Sequence, residues 1–493
     1  MGVGIVLLIL FAFVFIGFAF FVSKKFPSNS MDDFLVAGRS MPTALISASV
    51  VVSWIWCSTI MGAAEAGTLY GVSGGLNYAW GAAVPFFLLI PMVTRIRKLM
   101  PSCTTFTEYL KVRYGAGVSY VYLIFGIALC FYVMMSQGVG VGTVFKNMFG
   151  VPYLLGALIP LIIVIIYITK AGLRGSIYND CIQFFIVTVI LIICIPIVMK
   201  TLGLENIYNG LKEVATDPAN EYYDPQALKL TSTSGFHYGI AAVVVAFGQV
   251  LLDQGYYSKA IATTDNKSML KAYIVGTLIA WVPIPIICGN VFGTSYIALK
   301  EQLGLASVSA GSDVAPLIMK FVFGGGVGSI FFVLMVFMAA MTTGGNCIAG
   351  AQALLSVDVY KGIINKNATE DQQLRFGKTA TVVIALAMAL IATFLENVSL
   401  LTLDTFSGIL FAAPVSAFFV GLFWNKVNGK IAAVSIVVGW IGAMIAWFTA
   451  SNFDDAMFHG NLCSLLLPLV VIVIGSLFSK TKFNYETMSY EKQ

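Results

Sequence analysis

The chain has 493 residues, of which 59% are hydrophobic and only 10% are charged. A soluble domain carries nearer a quarter charged residues, so the composition excludes a water-soluble protein of this size. The net charge of +5 lies in short basic clusters between apolar runs. That pattern orients membrane proteins and is no signal for a nucleic-acid partner.

Runs of the length needed to cross a hydrocarbon core, about 20 residues for about 30 Å, recur along the chain. The first, 3–23, is followed by Lys24 and Lys25. A secretory signal carries its positive charge first, so this run reads as a retained helix with its N-terminus outside. Further spans follow at 43–67, 73–94, 117–145, 152–169, 176–199, 237–260, 271–295, 327–355, 378–396, 400–424, 431–450 and 462–479. The expectation is an all-α integral membrane protein of about 13 transmembrane helices. The stretches 201–235, 296–320 and 361–376 read as loops or short surface helices. With the N-terminus outside, 22 of the 28 Lys and Arg fall inside, Arg174, Lys259 and Lys492 among them. Outside fall Lys146, Lys200, Lys212, Lys229, Lys300 and Lys320. That bias predicts an outer N-terminus and an inner C-terminus in the cell membrane.

The same residues exclude several function classes. The cysteines lie mostly in apolar segments and form no CxxC pair, and there are only two histidines, His237 and His459. No disulfide framework, zinc site or catalytic triad is expected. There is no G-x-x-x-x-G-K-[ST] loop, so ATP drive is not indicated. No catalytic constellation stands out, and the chain does not read as an enzyme. No obligatory protein partner is evident; the partners expected are a small solute, its coupling ion and the bilayer.

Spans two to six and seven to eleven each number five and start on opposite sides of the membrane, as an inverted repeat requires. The expected organisation is an extra helix at 1–30, a first repeat at 41–200, a second at 236–424, two trailing helices at 430–479 and a short tail at 480–493. The first helix of each repeat is polar where a lipid-facing helix would not be. The span 43–67 holds Ser53, Ser58, Thr59 and Gly62; the span 237–260 holds Gln249, Asp253 and Gln254 between Gly248 and Gly255. Both are predicted to be discontinuous, with the binding site between them. Charges in a membrane cost at least a few kcal/mol by insertion scales, which draws attention to Glu65, Asp180, Asp253 and Asp404. Asp180 has two readings: an edge acid paired to Arg174, or a cavity acid that binds a cation. Ala339, Thr342 and Thr343 fall at i, i+3 and i+4 on one helix face. Two hydroxyls and a carbonyl there are hard oxygen ligands suited to Na⁺.

Four segments in order resemble the sodium:solute symporter family: DDFLVAGRSMP (32–42), TFTEYLKVRYG (105–115), GLRGSIYNDCIQ (172–183) and MTTGGNCIAGAQALLSVDVYKG (341–362). The resemblance spans about residues 30–424. It implies a 5+5 inverted-repeat core of the LeuT type and Na⁺ as coupling ion. It implies a main sodium site made by the carbonyls of Val52, Ile55 and Ala339 and the hydroxyls of Thr342 and Thr343. Some members of the family hold a second sodium on the acid matching Asp180; here the neighbouring turn offers Gly345 and Asn346 rather than two serines, leaving Asp180 and Asn346 as its ligands. The implied solute pocket comprises Trp54, Ser58, Thr59, Asn77, Tyr78, Gln249 and Asp253, with Phe406 in an outer gate. Where the sugar-carrying branch has an acid and an amide, this chain has Ser58 and Thr59. SWIWCST (53–59), YGVSGGLNYAWGA (70–82) and DQGYYSKAIA (253–262) resemble the urea-transporting branch, with Asp253 as acceptor for amide N–H groups.

The expectation is Na⁺-coupled symport of a small polar solute, urea or a similar amide, by alternating access. The alternatives are an amino acid such as proline, an organic acid or a sugar as solute, proton coupling through Asp180 or Asp253, and, in a different class, a passive channel.

Overall fold

The computed structural model describes residues 1–27 and 30–488, with the backbone alone at Ala171. Lys492 and the end of the tail lie outside the described residues. Helices dominate throughout, and the described residues contain one isolated bridge, Met41 to Thr263, and no named strand. In a bilayer, every backbone N–H and C=O must be satisfied within the protein, and helices do this within one segment.

The long helices are α1 (Gly2–Lys25), α2 (Thr43–Ser53), α3 (Cys57–Tyr70), α4 (Val72–Leu99), α5 (Ala116–Phe149), α6 (Tyr153–Lys170), α7 (Gly172–Leu202), α8 (Thr233–Leu251), α9 (Gln254–Ile261), α10 (Asn266–Leu303), α11 (Val327–Ile364), α12 (Glu370–Ala392), α13 (Leu400–Phe411), α14 (Ala413–Phe423), α15 (Gly429–Thr449) and α16 (Phe453–Phe478). Among the described residues, eleven are long and apolar enough to span a membrane; counting each bent pair, α2–α3 and α13–α14, as one span gives up to thirteen. The expected count thus holds, and the ends move. The eighth span, read as 271–295, runs from Asn266 to Leu303. The stretch 201–235 contains a short helix, Leu204–Thr216.

α11 is the most buried span, and α12, α15 and α16 are among the least. α11 packs on α5, on the 153–202 pair and on α9; α4 packs along α8; α15 and α16 pack on each other. α1 lies against the 153–202 pair, and Phe11 meets Phe337 of α11 with ring centroids 4.8 Å apart. The close approach of α3 to α10 depends on glycine. A Cβ on Gly67 would stand 2.2 Å from the Gly289 carbonyl oxygen, and one on Gly293 would stand 2.1 Å from that of Ala64. Small residues let membrane helices touch backbone to backbone.

Three breaks shape the centre. α2 and α3 are bent by 50° across Trp54–Trp56. Thr59 stitches this break: its hydroxyl accepts from the Trp56 N–H at 3.1 Å and donates to the Trp54 carbonyl at 3.1 Å. α8 stops at Leu251, and Asp253 restarts the chain as N-cap of α9, its Oδ1 accepting from the Gly255 N–H at 2.7 Å. Side-chain oxygens satisfy the orphan donors that a helix start exposes. The third break, 51° between α13 and α14, corrects the reading of 400–424 as one continuous span. Pro414 near the start of α14 has no N–H to continue the ladder.

Candidate functional site

The regular helical ladder of α2 ends at the break at Trp54–Trp56, where the Val52 carbonyl accepts from the Ile55 N–H at 3.1 Å, and α11 presents hydroxyls to the carbonyls there. Thr342 Oγ1 donates to the Val52 carbonyl at 2.9 Å and lies 3.0 Å from the Ala339 carbonyl. Thr343 Oγ1 donates to the Ser53 carbonyl at 3.1 Å and lies 3.4 Å from that of Ile55. Both threonines are buried. The five oxygens named in the sequence therefore meet at one junction between α2, α3 and α11. They are all hard donors, the set that suits Na⁺ and not a soft metal. Among the described residues, no group of three or more His, Cys, Asp or Glu is placed to hold a metal.

Beside the junction lies a small, narrow cavity. Trp54, Trp56 and Trp281 form an aromatic wall, with Trp54 ring centroids 5.0 Å from Trp56 and 6.0 Å from Trp281. The polar wall is Asp404 with its partners. Tyr78 OH donates to Asp404 Oδ2 at 3.2 Å and lies 3.2 Å from Ser58 Oγ. Gln249 Nε2 lies 3.5 Å from Asp404 Oδ1 and donates to Ser407 Oγ at 2.8 Å. The Trp54 indole N–H is buried and has no partner among the described residues. One face thus offers a buried acid and the other a spare N–H donor.

Of the pocket residues expected, Trp54, Thr59, Tyr78 and Gln249 line this cavity, and Ser58 reaches it through Tyr78. Asn77 does not; it donates to the Ser73 carbonyl at 2.9 Å and accepts from Trp80 Nε1 at 2.7 Å. Phe406 faces Trp447, ring centroids 5.3 Å apart. Asp253, expected as the acceptor for the solute, has both oxygens engaged, Oδ1 by the Gly255 N–H and Oδ2 by Asn346 Nδ2 at 2.8 Å. It is a capping residue outside the cavity lining. Asp404, Trp56, Tyr238, Trp281 and Thr405 line the cavity without having been assigned to it. Asp404 had a signal, a charge inside an apolar span; nothing local told which way it faced.

One expectation about charge is corrected, and one of the two readings of Asp180 falls. Lys259 is not on the inner surface: its side chain is fully buried, with Nζ 3.1 Å from Asp180 Oδ2. The pairing of Asp180 with Arg174 fails with it. Arg174 instead meets Asp33 at 3.2 Å. Asn346, bonded to Asp253, stands apart from the Asp180 cluster in its hydrogen bonding.

Further along α3 from the cavity-lining Thr59, Glu65 accepts from Ser399 Oγ at 2.6 Å and lies 3.4 Å from both the Leu401 N–H and Ser312 Oγ. This ties the second half of the broken helix to the start of α13.

The sodium:solute symporter family model matches residues 34–439, and the chain belongs to that family of secondary active transporters. It is 26% identical over 485 residues to the urea active transporter of Saccharomyces cerevisiae (strain ATCC 204508 / S288c), covering 93% of this chain and 66% of that protein. It is 26% identical over 511 residues to a urea-proton symporter of Oryza sativa subsp. japonica, covering 96% of this chain and 70% of that protein. The chain therefore spans about two thirds of the length of these relatives. A solved Na⁺-coupled sialic acid symporter, in a substrate-bound outward-open state, matches with a TM-score of 0.76 at 17% identity, over 96% of this chain and 98% of that one. This last likeness is one of fold, the LeuT type.

Proposed function

We propose that this protein is a Na⁺-coupled symporter of urea or a similarly small amide. The observation that carries the reading is the junction where the Thr342 and Thr343 hydroxyls meet backbone carbonyls at the break at Trp54–Trp56. An ion there joins α2 and α3 to α11 and stiffens one wall of the cavity. The Trp54 carbonyl already accepts from Trp281 Nε1 at 2.6 Å, so the break and the aromatic wall move together. Urea suits the opposite walls: its N–H groups meet Asp404, and its carbonyl meets the Trp54 indole N–H. The urea-transporting relatives support the solute, and the family supports the ion.

The two five-helix units, 41–200 and 236–424, act as the repeats that alternate around this site. The protein resides in the plasma membrane with its N-terminus outside and C-terminus inside. The bias of basic residues supports that orientation even with Lys259 moved to the interior.

A second reading, proton in place of Na⁺, is favoured by the relative named a urea-proton symporter. One experiment separates the two: uptake of labelled urea by purified protein in liposomes, with an inward Na⁺ gradient or with choline at the same pH. The expected result is saturable uptake that requires Na⁺. Saturable uptake in choline that follows a pH gradient replaces the ion. Uptake that neither saturates nor responds to either gradient overturns symport.

A further inference from the structure

Asp180 is fully buried in α7. A carboxylate there needs a cation, because the uncompensated charge is costly in a low-dielectric interior. The chain supplies one from the other half of the molecule. Lys259 Nζ on α9 meets Asp180 Oδ2 at 3.1 Å and the Ser49 carbonyl at 3.3 Å, and hydrogen-bonds Ser53 Oγ. An ammonium has three N–H donors, and three oxygens receive them. The cage is itself braced: Ser49 Oγ donates to Asp180 Oδ2 at 2.6 Å, and Ser53 Oγ donates to the Ser49 carbonyl at 2.7 Å. A carboxylate, a carbonyl and a hydroxyl are also the hard oxygens that a monovalent metal ion takes. Among the described residues, Asp180 Oδ1 has no hydrogen-bond partner and is free to complete such a shell.

We infer that the Asp180 cage is a cation site occupied by the protein's own ammonium. Lys259 is a tethered ion that pins α9 to α2 and α7, so the acid carries no exchangeable cation during transport. Removing the ammonium while keeping the acid creates a site for a free Na⁺, one more than the unmodified chain holds. The count rests on the sodium reading given above; the cage does not.

The test is equilibrium binding of labelled Na⁺ to the purified full-length chain. Lys259→Ala is expected to bind about twice as much Na⁺ at saturation as the unmodified protein, since a new site adds to the old by mass action. The gain disappears in Asp180→Asn/Lys259→Ala. Lys259→Gln, which keeps a hydrogen-bond donor and loses the charge, gives the same gain should the alanine variant fold poorly. A monodisperse Lys259 variant that binds no more Na⁺ than the unmodified chain overturns the inference. So does a gain that persists without Asp180. If the unmodified chain binds no Na⁺ and the Lys259 variant gains an Asp180-dependent site, the sodium reading of the Thr342 junction fails and the tethered ion stands.

Discussion

Asp404 and Asp253 are both aspartates in apolar surroundings, and their hydrogen bonds give them different work. Asp253 spends its oxygens on the Gly255 N–H and on Asn346. Asp404 spends part of its capacity on Tyr78 and Gln249 and faces the cavity. An acid that contacts the solute contributes to its binding, and a hydrogen bond to a charged group is worth about 1.5–3 kcal/mol. Asp404→Asn is therefore expected to raise the urea KM roughly tenfold or more. Asp253→Asn keeps an N-cap oxygen and leaves the urea KM within about twofold of its original value, although the expressed amount of protein falls. Concentration dependence of urea uptake for the two variants checks both statements. Equal KM increases in both would return Asp253 to the pocket.

At the scale of elements, the breaks and the glycine contacts decide how helices can move. The paired polar breaks were legible because Ser, Thr, Gln and Asp in an apolar span are locally anomalous. The bend at α13–α14 was marked only by Pro414, which membrane helices often tolerate. The contact of α3 with α10 was not legible at all. Gly67, Gly289 and Gly293 are ordinary membrane glycines until the fold lays them together. Gly67→Ala drives a methyl group into the Gly289 carbonyl, with both sides backbone. Overpacking of this kind costs about 1–3 kcal/mol. The expected outcome is a lower thermal unfolding midpoint in detergent together with slower uptake. Gly117, with open space around its Cβ position, serves as the control, and Gly117→Ala leaves both measurements unchanged. A Gly67→Ala midpoint equal to that of the control would show that α3 and α10 are not packed at this distance.

For the whole molecule, the proposed ion junction and the proposed solute cavity share Trp54. Its backbone lies in the break between α2 and α3, and its ring lines the cavity. If both sites are as proposed, binding at either orders part of the other, and the expected coupling is reciprocal, of about 1–3 kcal/mol or 5- to 150-fold in affinity. Urea affinity is expected to rise with Na⁺ and Na⁺ affinity with urea by the same factor. Thr343→Ala removes one oxygen from the junction. It raises the Na⁺ concentration for half-maximal uptake about tenfold while leaving urea uptake at saturating Na⁺ near its original rate. Unchanged Na⁺ dependence in that variant moves the ion elsewhere. The membrane potential adds about 2.3 kcal/mol per charge per 100 mV, so uptake driven by one Na⁺ also rises when the liposome interior is made negative.

Sequence alone determined the class of protein, its number of spans, the two places where helices break early in each half, and the threonine pair on α11. These are local properties: length of an apolar run, polarity within it, and i, i+3, i+4 spacing on one helix face. Only the tertiary structure decided which buried acid lines the cavity, and that Lys259 is no surface charge. Lys259 and Asp180 are 79 residues apart, on helices from different halves of the chain. A lysine at the end of an apolar run looks like any inner-surface lysine until packing closes over it. What a side chain does inside a membrane depends on the direction it points around its helix and on the neighbour it meets there. Both are set by contacts between helices that are remote in sequence.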